Sequence, residues 1–133
     1  MGLDIHGNAG TRANAARLAF ARAAPDPVDP ILQLADSLAL DAQQRASLSA
    51  VSVAYVAHRD SAAAPGVAVV VGEGAKLTDA MMLEQFNRYG AVVQPWRIDA
   101  RDRAVALLTP AQRVELTALL GAKPLLTSPS IRK

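Results

Sequence analysis

One pattern, written twice, constrains this chain most. Leu40-Asp41-Ala42-Gln43-Gln44-Arg45-Ala46-Ser47-Leu48 and Leu108-Thr109-Pro110-Ala111-Gln112-Arg113-Val114-Glu115-Leu116 carry Leu, Gln, Arg and Leu at the same offsets. Each copy reads as the opening of an amphipathic helix. A helix start leaves its first backbone N–H groups without intrahelical partners. Thr109 is a good cap for them, and Pro110 sits where a missing N–H costs nothing. Gln112 is placed to reach back to the cap N–H and close a capping box. In the first copy Asp41 is the cap and Gln44 takes the return role, and an acidic cap also suits the positive end of the helix dipole. Each cap is worth about 1 kcal/mol. The expected fold is therefore all-α: antiparallel helical hairpins of four to five helices, with capped corners at Asp41 and Thr109.

The rest of the chain divides around these corners. Residues 1–28 read as an irregular, marginally helical lead-in, with Thr11 to Ala24 rich in Ala and Arg and poor in large apolar side chains. Pro25-Asp26-Pro27-Val28-Asp29-Pro30 is a stiff extended break, because each residue before proline is pushed out of the α region. A helical domain is expected over 29–121 and a flexible tail over 122–133. Asp29 caps a short helix, with Ile31, Leu34, Ala35 and Leu38 on one stripe. After Asp41, Leu48, Val51 and Tyr55 share a face. Residues 60–77 are expected to form a buried loop or an irregular apolar turn of helix, because Pro65-Gly66 and Gly72-Glu73-Gly74 bracket Val67–Val71. Thr78 then caps what should be the longest helix. Met82, Phe86, Tyr89 and Val93 mark its buried face, and Gly90 and Pro95 weaken or kink it. Gly121 is placed to end the final helix.

Composition narrows the function. With 14 basic and 12 acidic residues the formal net charge is +2, which is no electrostatic footprint for nucleic acid. Arg97, Arg101 and Arg103 alternate with Asp99 and Asp102 and read as a solvated helix face. Cysteine is absent, which excludes disulfides and thiolate metal sites. No apolar run is long enough for a membrane-spanning helix. No basic stretch followed by an apolar one opens the sequence, so no signal peptide is expected. The aromatic residues are Phe20, Phe86, Tyr55, Tyr89 and Trp96. A core so rich in alanine gives thin helical layers, for which a homodimer is expected.

Chemistry-bearing motifs are sparse. Val69 to Lys76 resembles a glycine-rich phosphate loop, but Leu77 stands where a third glycine would be needed. A phosphate-binding enzyme built on Gly72–Gly74 would require Val67–Val71 to be a strand. His6, His58 and the Met81/Met82 pair could serve a metal- or small-ligand-responsive sensor, though His58 reads better as a helix-end cation. No nucleophile motif or carboxylate pair is visible, so no catalytic residue, cofactor or metal is expected. Trp96 beside Arg97 is either a surface hot spot or packed on the facing helix.

The two corners resemble the L-T-x-x-Q motifs of the Spy/CpxP-like family of small periplasmic helical proteins. Leu108, Thr109 and Gln112 match the motif fully. Leu40 and Gln44 match it, with Asp41 in place of Thr. The resemblance spans roughly residues 29–121. It implies an antiparallel helical dimer in the bacterial envelope, and ATP-independent chaperone, stress-signalling or metal-sensing roles. Gly2-Leu3-Asp4-Ile5-His6-Gly7, with Arg12 and the proline break, is similar to the stretch joining a TonB-dependent outer-membrane receptor to a helical C-terminal extension. The expectation is a non-enzymatic module, chaperone-like or stress-sensing, that binds polypeptide clients or an envelope partner through Met82, Phe86, Tyr89 and Trp96. It would sit in the periplasm or at the outer membrane, with the cytoplasm as the alternative.

Overall fold

Cap chemistry sets the helix starts, and burial decides how far the helices run. The structure, a computed structural model, describes residues 9–121. It is all-α: α1 (Ala9–Ala23), α2 (Asp29–Gln33), α3 (Ala42–Glu73), a single 3₁₀ turn (Gly74–Lys76), α4 (Asp79–Ala106) and α5 (Pro110–Gly121). No described residue is in a strand, and no helix is long and apolar enough to cross a membrane. His6, the Gly2–Gly7 stretch and the expected tail lie outside the described residues.

α3 and α4 form the long antiparallel hairpin, and α1 packs along the distal half of α3. Phe20 of α1 is fully buried between Gly66 of α3 and the rings of Phe86 and Tyr89 on α4. The ring centroids lie 4.5 Å from Phe86 and 4.9 Å from Tyr89, the latter edge-on. Within the stretch expected as lead-in, Ala9–Ala23 form a regular helix that gives Ala16 and Phe20 to the same core as the later helices.

Several sequence expectations change. Residues 60–73 are not a loop: α3 continues through Pro65 and Gly66 for 32 residues and is the longest helix, ahead of α4 with 28. Interior proline and glycine disfavour a helix by about 3 and 1 kcal/mol. Pro65, however, is exposed, while Ala63, Gly66, Val67 and Val70 all face the core. Burial along that stripe offsets the propensity cost. The chain breaks only at Gly74, whose φ of 53° is a conformation that favours glycine. Val28, not Asp29, occupies the cap position of α2, and the Asp26 carboxylate accepts from Val28 N–H at 2.8 Å. α4 is long and kinked, with Gly90 and Pro95 inside it, and Thr78 caps it by accepting from Met81 N–H at 3.1 Å.

Candidate functional site: a glutamine clasp and two apolar recesses

The duplicated motif forms one object. Asp41 and Gln44 close a capping box, with Gln44 N–H donating to the Asp41 carboxylate (2.7 Å) and Asp41 N–H to Gln44 Oε1 (3.0 Å). Thr109 and Gln112 close the second box at 3.1 and 2.9 Å. The chain then places the two glutamines against each other. Gln44 Nε2 donates to Gln112 Oε1 at 2.6 Å, and Gln112 Nε2 donates to Gln44 Oε1 at 3.2 Å. The remaining hydrogens cross to the opposite corner, from Gln44 to Leu107 O (3.1 Å) and from Gln112 to Leu38 O (3.1 Å). Each amide therefore uses both hydrogens and two acceptor directions, which is its full capacity.

The matching Arg and Leu residues now have a reason. Arg45 Nε donates to Leu40 O and Arg113 Nε to Val105 O, so each arginine ties its helix to the corner before it. Leu40, Leu108, Leu48 and Leu116 are all buried. The motif is a clasp with approximate two-fold character that ties the starts of α3 and α5 to each other and to the turns before them, at Leu38 and Leu107. Ala39, which precedes it, has a φ of 55°, and backbone strain in a non-glycine residue is thereby held at the clasp.

The expected binding residues divide differently. Tyr89 is buried, and its hydroxyl donates to Phe20 O at 2.7 Å. Met82 and Phe86 are half-buried against the core. These three therefore face inward and offer a partner little surface. Trp96 stays 37% exposed and lies over His58 of α3, with centroids 4.6 Å apart. It is both packed on the facing helix and open to solvent. Met81 is half-buried beside Met82. Among the described residues no group of three or more His, Cys, Asp or Glu converges. Val67–Val71 is helical, so the strand that a phosphate loop at Gly72–Gly74 requires is not formed.

Four features were not anticipated. Tyr55 and Tyr89 donate to Ala24 O (2.8 Å) and Phe20 O (2.7 Å), holding the carbonyl end of α1. Burial raises both phenols. That of Tyr89 is pushed from 10.0 to about 12, with Tyr55 adding and Arg59 opposing. The basic run of α4 is only partly a solvated face. Arg103 pairs with Asp99 at 2.7 Å, but Arg97 Nε donates to Pro25 O at 2.9 Å and pins the proline break. An open groove of about 730 Å³ runs between α1 and α3, floored by alanines and Val67 and edged by Leu18, Arg17 and the Arg59–Asp60 pair. A smaller recess of about 300 Å³ lies under the proline break. The alternation of Ala13, Ala21, Ala64 and Ala68 was readable in the sequence as small residues. That they face one another was not, because it depends on α1 docking on α3.

Compared with known protein families, curated proteins and solved structures, the chain has no significant match.

Proposed function

We propose that this protein is a non-enzymatic, chaperone-like or stress-sensing module of the bacterial envelope that binds polypeptides. The observation that carries the reading is the groove between α1 and α3. It is largely apolar, half-open to solvent and about 730 Å³ in volume. Leu18 stands 55% exposed at its edge. A floor of alanines lets a bound backbone approach closely, and such a surface binds apolar segments without demanding one sequence. Arg17 at its edge, bonded only to the neutral Asn14 side chain, adds attraction for an acidic flank, whereas Arg59 is paired with Asp60. The envelope assignment and the expected dimer rest on the resemblance of the two corners to L-T-x-x-Q motifs.

Aggregation of an unfolding client, followed by light scattering without ATP, tests this reading. Suppression at near-stoichiometric ratio is expected. Ala64→Glu and Ala68→Glu, which place charge in the groove at exposed positions, should abolish it while leaving the melting midpoint unchanged. Absence of suppression by the wild-type protein at every ratio overturns the proposal.

A further inference from the structure

We infer that the recess beneath the proline break is a binding site for a single-chain amphiphilic anion, an alkyl carboxylate being the simplest case. The inference does not depend on the polypeptide reading. The recess holds about 300 Å³, within the range of small-ligand sites, and is walled by Pro25, Pro27 and Pro30, Val105 of α4, and Leu116 and Leu120 of α5. Its floor at Ile31 is buried. Two guanidiniums stand on its α4 side. Arg97 is fixed by Pro25 O at 2.9 Å, and the Arg101 side chain is 42% exposed, with only an exposed 3.4 Å contact to Asp102. The one carboxylate of the lining, Asp26, has its oxygens engaged by Val28 N–H and the Ser52 hydroxyl but keeps its charge. Two guanidiniums against one carboxylate leave the lining with an excess of one positive charge beside an apolar slot.

The backbone selects an alkyl chain over a peptide. Proline has no N–H, so the proline wall offers no donors. The Pro25 carbonyl is taken by Arg97, and the α4 and α5 walls are helical. A peptide entering this slot would bury amides without partners, which is costly, whereas an alkyl chain has none to lose. A carboxylate at the mouth meets Arg101, whose planar donors suit it. The recess is preformed, because its wall is proline and is tied down by Arg97.

Calorimetric titration of the full chain with decanoate, below its micelle concentration, tests the assignment. One saturable site is expected, with decanol binding about tenfold more weakly for want of the charge-assisted bond. Arg101→Gln should weaken decanoate about tenfold and leave decanol unchanged, and Leu120→Asn should weaken both. Absence of saturable binding, equal affinity for decanoate and decanol, or decanoate binding indifferent to both substitutions would each overturn it. So would an Arg101→Gln effect of equal size on the two ligands.

Discussion

Gln112 does two jobs at once, and its removal should reveal both. Truncation to Ala opens the capping box, leaves Leu38 O without its donor and strips Gln44 of its partner. At about 1 kcal/mol net for each bond, Gln112→Ala is expected to cost about 2–3 kcal/mol, against about 1 for Thr109→Ala, which touches only the cap. A cycle with Gln44→Ala should give a coupling of about 1 kcal/mol, measured by denaturant unfolding. Additive losses would mean two independent boxes and no clasp. The loss should fall on stability, with client suppression by the remaining folded fraction unchanged. Half of this was legible in sequence, because a cap acts over three residues. The amide pair was not, because its members stand 68 residues apart and meet only once the hairpin has closed. Tyr89 illustrates the same limit, since nothing local marks its hydroxyl as the partner of Phe20 O. Its phenol is raised from 10.0 to about 12, so the neutral form is the one the fold prefers. The stability it contributes is complete below pH 10 and is lost as pH rises toward 12. Alkaline unfolding followed by circular dichroism should therefore begin in that window, and Tyr89→Phe should reduce its slope there.

The helices themselves show how packing overrules propensity. Gly66 sits in the middle of α3, where a glycine ordinarily weakens a helix. A Cβ there would lie 2.4 Å from the Phe20 ring. Gly66→Ala should gain about 1 kcal/mol of helix propensity and lose more to overpacking, for a net cost of about 1–2 kcal/mol. Gly72 and Gly90 are also helical, but a Cβ meets nothing within 4 Å at either. Alanine at those two sites should instead stabilise by about 0.5–1 kcal/mol. Opposite signs in thermal melts of the three variants are the check, and a stabilising Gly66→Ala would contradict the ring-against-backbone contact. This contrast explains why the segment after Asp60 reads, by local rules, as a loop or an irregular turn of helix. Pro65-Gly66 is punctuation by local rules, and the valines that follow favour strands when considered alone. What decides the matter is Phe20, which fills the notch that Gly66 leaves. α1 looked marginal for the complementary reason: its apolar stripe is thin, and its worth lies in one ring placed in one notch.

For the whole molecule the question is whether its two ends fold as one. The clasp closes one end and the Phe20 cluster the other, and α3, at 32 residues about 48 Å long, joins them. Both ends also share α4, from Phe86 and Tyr89 to Ala104, with Leu107 just past its end. Between them the proline break is held by Arg97 and by Tyr55, so the connection from α1 to α2 is anchored on the long hairpin. A single unfolding transition follows from this arrangement, because neither end can open without exposing core that the other uses. Gln112→Ala and Gly66→Ala act at opposite ends and have no common neighbour. Their costs should add within about 0.5 kcal/mol, both lowering one melting midpoint. Native-state hydrogen exchange should then find amides of α1 near Phe20 protected nearly to the global stability. If residues 1–28 were instead a loosely attached lead-in, the Gly66 variant would release α1 alone. Its amides would then exchange early while the clasp end kept its midpoint, and the melt would split in two.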